Sequence, residues 1–167
     1  MTIETVWEGK YLSAMKQGSW EWAERKGKIA AAVIVAVHEG QLILVEQFRI
    51  PIGRRCLELP AGLVGDDTEG ERLEDAAIRE LEEETGYRAG AIEVLGDYYA
   101  SPGMTSEAFT MVRATDLTRV GEGGGEENED ITVHHVPVGE LEQFVADKRA
   151  AGVAVDGKLL ALLGPRL

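Results

Sequence analysis

The chain has 167 residues, with 17 Lys plus Arg against 30 Asp plus Glu and a formal charge of −13. This length suits one domain with its own core, and the acidic balance argues against binders of nucleic acid or anionic membranes, which need clustered cations. Hydrophobic residues make up 44% and charged residues 28%, a globular composition and not a disordered one.

In chain order, Met1–Lys10 is polar and acidic and lacks the apolar stretch of a secretory signal. Residues 1–27 carry Trp7, Tyr11, Trp20 and Trp22 and are expected to form short strands. Ile29–Val37 and Gln41–Arg49 are β-branched runs on either side of His38-Glu39-Gly40, the pattern of a hairpin. The first of these, nine residues long, is the longest apolar run and falls short of the roughly 20 needed for a membrane helix. A soluble protein is expected. Cys56 is the sole cysteine, so neither an intrachain disulfide nor a cysteine-based zinc site can form, and a reducing cytoplasm fits. Leu57–Pro60 reads as extended because Pro60 biases Leu59 away from helix, and Gly62–Gly70 reads as a loop.

From Glu71 to Thr85, Leu73, Ala76, Ala77 and Leu81 recur at helical spacing, and Gly86 follows as a C-cap. Ala91–Leu95, Tyr98–Tyr99 and Ala108–Val112 are expected strands. Residues 121–130, GEGGGEENED, form an acidic loop, of the kind that closes over a site. Ile131–Val136 is expected as the last strand, before helices at Val138–Ala150 and Lys158–Leu163. Strands with few helices point to an α+β fold. His134 and His135 fit no metal spacing and receive no role.

The chemistry concentrates in Arg79-Glu80-Leu81-Glu82-Glu83-Glu84-Thr85-Gly86-Tyr87. At 100° per residue, Glu80, Glu83 and Glu84 share one arc of a helix. Like charges so placed destabilise the helix by a few tenths of a kcal/mol each, unless a cation offsets them. Mg²⁺ typically takes one or two carboxylates together with substrate phosphates, and Arg79 can hold a neighbouring carboxylate by a bidentate pair. A run of glutamates is in most proteins only a solvated face. Here, however, Glu71 precedes Arg79-Glu80 by seven intervening residues, and the whole pattern resembles the Nudix box: Gly, five residues, Glu, seven residues, Arg-Glu, an aliphatic, one residue, Glu-Glu, one residue, Gly. By composition such a coincidence occurs less than about once in a million starts.

Strict counting makes Gly65 the opening glycine of the box. Glu58-Leu59-Pro60-Ala61-Gly62 resembles the lead-in of ADP-ribose pyrophosphatases, which makes Gly62 the structural equivalent and Gly65 an incidental match. Ser101-Pro102-Gly103-Met104-Thr105-Ser106-Glu107 resembles that subfamily's segment after the box, with Pro102 fifteen residues beyond Tyr87. Glu46-Gln47-Phe48-Arg49-Ile50 resembles a strand whose arginine contacts phosphate, and Glu126–Ile131 resembles the loop that supplies a catalytic glutamate.

The resemblance, from about residue 20 to 160, implies a Nudix fold in which α-helices sandwich a mixed β-sheet. The single domain would span 1–167, with residues 1–27 adding strands to a homodimer interface. It implies metal-dependent hydrolysis of the diphosphate bond of ADP-ribose to AMP and ribose 5-phosphate in the cytoplasm. Mg²⁺ or Mn²⁺ would be held by the Ala61 carbonyl, Glu80 and Glu84, with Glu83 and Glu129 as further ligands. Glu127, Glu84, Glu83 and Arg79 are the expected catalytic set, with Glu127 as base. Gly123–Gly125 leave the register open, so Glu129 or Glu126 could take that role instead. The expected substrate contacts are Arg49, Leu63, Ser101, Pro102, Gly103 and Glu107. Trp20 would stack on the base with Glu21 beside it, and Trp22 could exchange roles with Trp20; Trp20, Glu21 and Glu107 would reach substrate bound mainly by the partner subunit. The competing readings are another nucleoside diphosphate sugar such as GDP-mannose, a non-catalytic ADP-ribose sensor, and a hydrolase of oxidised nucleoside triphosphates. The intact box opposes the sensor. The Leu59–Gly62 and Ser101–Glu107 segments oppose the last.

Overall fold

Two strands rich in Val, Ile and Leu form the centre of the fold. In the computed structural model, which describes residues 2–28, 30–65, 70–125 and 129–163, they are buried along most of their length, because helices cover both faces of the sheet. Ahead of them come β1 (Glu4–Glu8), β2 (Leu12–Gln17) and β3 (Trp20–Arg25), which make an antiparallel sheet of their own. The central pair is β4 (Ala31–His38) and β5 (Gln41–Arg49). There follow β6 (Arg54–Glu58), β7 (Ala61–Leu63), α1 (Leu73–Thr85), β8 (Tyr87–Arg88), β9 (Ala91–Tyr99), β10 (Ala108–Thr115) and β11 (Thr118–Arg119). The chain ends with β12 (Thr132–Pro137), α2 (Leu141–Ala150), β13 (Ala154–Val155) and α3 (Gly157–Leu163).

The main sheet runs β13-β6-β5-β4-β10-β9, with β12 also on β5 and β7 also on β4. It is mixed: β10 lies parallel to β4 and β13 parallel to β6, while the other pairs are antiparallel. The expected hairpin of β4 and β5 exists, but their pairing is confined to Val37↔Leu42 and His38↔Gln41. Beyond that the strands diverge, β4 to β7 and β10, β5 to β6 and β12.

Burial follows the two faces. Ala32, Ile34, Ala36 and Ile43 pack with Ala77 and Leu81 of α1. Val33, Leu42, Leu44, Leu57 and Met111 pack with Leu141 and Val145 of α2 and Leu159 of α3. The sheet is thus sandwiched between helices, as expected for this α+β fold. No helix among the described residues is long and apolar enough to cross a membrane.

Several boundaries differ from the sequence reading. Glu71 precedes the helix, whose N-cap is Arg72. Part of the expected Gly62–Gly70 loop is strand β7, because Ala61–Leu63 finds the open edge of β4. The two expected strands at 91–95 and 98–99 are one strand, β9, with a register shift opposite Met111/Val112 that leaves Leu95 unpaired in the ladder. Ile131–Val136 is not the last strand. β13 follows α2 and pairs with β6, a two-residue contact too short to leave a sequence pattern.

Candidate active site

Helix α1 carries the carboxylates and β7 faces them. Glu84 is 5% exposed, and its Oε2 accepts the Ala61 amide N–H at 3.0 Å. Burial pushes its carboxyl up to about 8, with Glu80 and Glu129 adding to the rise and Ala61 and Arg49 opposing it. Glu80 lies against Gly62, where a Cβ would fall inside its carboxyl group. Burial raises the Glu80 pKa too; Arg79 opposes this, while Glu83 and Glu129 reinforce it. Glu129 is exposed and packs over the Cα of Gly125. Glu80, Glu84 and Glu129 therefore share one electrostatic neighbourhood beside β7.

Glu83 pairs with Arg79, which also contacts Glu80. The Arg79 guanidinium is a hub: Nε bonds Glu71 Oε1 at 3.1 Å and Nη2 bonds Oε2 at 3.3 Å. Nη1 lies 3.0 Å from Glu83 and 2.9 Å from Glu80, and Nη2 reaches the Leu63 carbonyl at 3.5 Å. The hydrogen bonds that Arg79 donates to Glu71 lead in raising its pKa, and Arg79 in turn holds Glu71 below the usual carboxylate range. The Gly65 amide donates to Glu71 Oε2 at 3.0 Å, so Gly62 yields space to Glu80 while the backbone at Gly65 holds the box glutamate.

The other expected residues divide into those near the carboxylates and those on the N-terminal sheet. Arg49 is committed to Glu58 through a bidentate pair, 2.8 Å from Nε and 2.7 Å from Nη2, and also interacts electrostatically with Glu84. Leu63 is half-buried in β7, opposite Ala31. Ser101, Pro102 and Gly103 form an exposed turn in which the Ser101 carbonyl accepts from Met104 and Thr105. That turn is stitched to β3, the Ala23 amide donating to the Met104 carbonyl at 2.9 Å. Glu107 pairs with Arg25 at 3.1 Å. Trp20 is 65% exposed while Trp22 is half-buried, and Glu21 is exposed in a pair with Lys16 at 3.3 Å. Glu126 and Glu127 lie outside the described residues.

The acidic loop is anchored at the end nearest α1. Gly124 donates to the Glu84 carbonyl at 2.9 Å and Gly125 to the Glu83 carbonyl at 3.0 Å, satisfying carbonyls that the helix end leaves open. Its far end meets a cluster the sequence reading missed. Glu46, 6% exposed, accepts from Arg55 at 2.8 Å, Lys148 at 2.6 Å and His134 at 3.0 Å. Burial raises the Glu46 pKa, and these three donors more than offset it. Burial and Lys148 lower the pKa of His134. A glutamate set directly after the apolar run Leu42–Val45 on a central strand was the available signal, and the partner on α2 is 102 residues away.

The donor set is hard oxygen, which fits Mg²⁺ or Mn²⁺ and not a soft-ligand metal. Among the described residues, no three His, Cys, Asp or Glu side chains are drawn into a ready-made cage. Mutual repulsion of uncompensated carboxylates favours that spacing, and Mg²⁺ keeps waters and substrate phosphates in its shell rather than requiring an all-protein cage.

The NUDIX domain profile matches residues 26–163. The chain belongs to the NUDIX family. It is 38% identical to an ADP-ribose pyrophosphatase of Mycobacterium tuberculosis over 70% of this chain and 56% of that one. It is 42% identical to an ADP-sugar pyrophosphatase of Mus musculus over 60% and 49%, so the match spans about half the length of these two relatives. A GDP-mannose pyrophosphatase of Pectobacterium atrosepticum is 36% identical over 83% of this chain and 72% of its own. A crystal structure of an ADP compounds hydrolase superposes with a TM-score of 0.71, covering 87% of this chain and 81% of that one at 23% identity. That likeness establishes the Nudix fold.

Proposed function

We propose that this Nudix protein hydrolyses the diphosphate bond of ADP-ribose, giving AMP and ribose 5-phosphate, and that it requires Mg²⁺ or Mn²⁺. The observation that carries the reading is the grouping of Glu80, Glu84 and Glu129 beside β7, with Glu84 buried. Burying a carboxylate without a counter-charge is costly, and a divalent ion held by these carboxylates would supply that charge.

Glu80, Glu84 and the Ala61 carbonyl would hold the metal, with Glu83 and Glu129 as further ligands. When bound, the ion neutralises the diphosphate and acidifies a water. The protein's share is positioning, which dominates phosphoryl chemistry. Arg79 keeps Glu71, Glu80 and Glu83 aligned, Arg49, held by Glu58, would meet a substrate phosphate, and Glu127 would accept the proton of the attacking water. The turn at Ser101–Gly103, with Leu63 and Glu107, lines the path of the substrate. Trp20 and Glu21 lie on an N-terminal sheet that exposes Ile3, Val6, Trp7, Tyr11 and Trp20. A homodimer would cover this surface and bring Trp20 and Glu21 to the partner's substrate, in a soluble cytoplasmic enzyme without nucleic-acid or membrane partners.

A second reading is a GDP-mannose hydrolase, favoured by the Pectobacterium relative's longer coverage. The test is product analysis with ADP-ribose, GDP-mannose and a nucleoside triphosphate in parallel, with Mg²⁺ and with chelator. The proposal expects AMP from ADP-ribose at the highest kcat/KM, lost on chelation. Preference for GDP-mannose would replace the substrate assignment, and tight ADP-ribose binding with no turnover would leave a sensor.

A further inference from the structure

The acidic loop is gripped at both ends, and the grip at its far end centres on one side chain outside the Nudix box. Arg55, on β6, donates from Nη1 to Asp130 Oδ2 at 2.8 Å and from Nη2 to the Asp130 carbonyl at 3.2 Å and to Thr132 Oγ1 at 3.1 Å. It is itself fixed by Glu46, through Nε to Oε1 at 2.8 Å and Nη2 to the Glu46 carbonyl at 2.7 Å. Glu46 in turn is held by Lys148 of α2 and His134 of β12. A planar guanidinium with this many acceptors has little freedom left. Asp130 directly follows Glu129, whose carboxylate packs over Gly125, and Gly125 is bonded to the end of α1.

We infer that Arg55 is a positioning residue which, by clamping Asp130, sets where Glu129 stands relative to Glu80 and Glu84. The inference rests on the reading of Glu129 as a metal ligand. Among the described residues, neither Arg55 nor Asp130 is hydrogen-bonded to a box carboxylate, their partners being each other, Glu46 and Thr132, so their effect passes through the loop backbone. Partners that orient a metal ligand typically change metal affinity or activity by 10–100-fold when removed.

The test uses the full chain, Mn²⁺ as the probe, and three readouts: Mn²⁺ affinity by calorimetry, steady-state ADP-ribose hydrolysis, and Tm. Asp130→Ala is the main variant because the Asp130 side chain is 84% exposed, so its loss leaves the core intact. Arg55→Lys keeps the charge and removes the fork. Both are expected to weaken Mn²⁺ binding and to lower kcat by roughly 10-fold, with KM within about twofold and Tm unchanged for Asp130→Ala. In a Glu129→Gln background, Asp130→Ala should have no additional effect on Mn²⁺ affinity, since the two act through one ligand.

If Glu129→Gln impairs Mn²⁺ binding while Asp130→Ala and Arg55→Lys do not, the clamp is dispensable and the inference fails. If Glu129→Gln leaves Mn²⁺ affinity and kcat intact, the ligand reading itself fails and takes the inference with it. A fall in Tm that parallels the activity loss and adds to the Glu129→Gln effect identifies a merely structural pair, which also overturns it.

Discussion

Glu84 shows how one residue can be costly to the fold and useful to the site. It is 5% exposed, bonded to the Ala61 amide, and its carboxyl is pushed up to about 8. Since an unfolded glutamate titrates near 4.5, the folded metal-free protein holds the proton more tightly than the unfolded chain between about pH 4.5 and 8. Its contribution to stability therefore falls as pH rises through that window. Glu84→Gln abolishes this dependence. In chelator, the Tm of the variant minus that of the wild type should grow from pH 5 to pH 8 by about 3 °C or more, a domain of this size moving roughly 2–4 °C per kcal/mol. A flat difference in scanning calorimetry would contradict the buried, protonated Glu84. The same variant should keep its fold and lose metal-dependent turnover. Near-wild-type hydrolysis would remove Glu84 from the site. Glu127→Gln should lower kcat by roughly 10²–10⁴-fold, as for a general base, and a larger loss in Glu129→Gln with Mn²⁺ binding intact would reverse those two roles.

At the scale of elements, strand β7 and the two ends of α1 do most of the arranging. Leu81 is fully buried between α1 and the sheet, so Leu81→Ala should cost roughly 2–5 kcal/mol in denaturant unfolding. Two glycines beside α1 should respond differently. The nearest atoms to a Cβ on Gly62 are the carboxyl group and Cγ of Glu80, a flexible side chain that can swing aside, so Gly62→Ala should leave the denaturation midpoint nearly unchanged. Displacing Glu80 should nevertheless lower kcat by up to roughly 10²-fold. Gly123 has φ +70 and would press a Cβ into the backbone of Thr85. Gly123→Ala should destabilise the protein by more than about 1 kcal/mol while loosening the loop end tied to Glu83 and Glu84. Equal midpoints for the two variants would show that the glycine-rich limb is not seated on α1.

For the molecule as a whole, the N-terminal sheet is the open question that solution measurement answers. It touches the rest of the chain through the Ala23–Thr105 bridge and the Arg25–Glu107 pair, and exposes Trp7, Tyr11 and Trp20 at 59%, 64% and 65%. Large apolar side chains exposed together on one small sheet mark it as a candidate association surface. Sedimentation at micromolar protein should give a dimer, and Trp20→Ser should weaken substrate binding through KM with little change in kcat. A monomer of full activity would separate the sheet from both dimerisation and substrate contact.

The α+β character, the α1 helix with its Gly86 cap, the carboxylate spacing of the box and the membership it implies are legible in the linear chain, because these are local. Helical periodicity, a left-handed cap and fixed intervals along one helix face survive in a linear string. Packing in three dimensions is what pairs Glu83 with Arg79, buries Glu84 against Ala61, gives Arg49 to Glu58 and lets the Gly65 amide hold Glu71. Glu46, Arg55, His134 and Lys148 were illegible for the same reason. Each looks like an ordinary polar residue in its own segment, and the cluster exists only because β5, β6, β12 and α2 meet there. Charge pairing across a hundred residues depends on which surfaces the hydrophobic core brings together, and no local pattern encodes that.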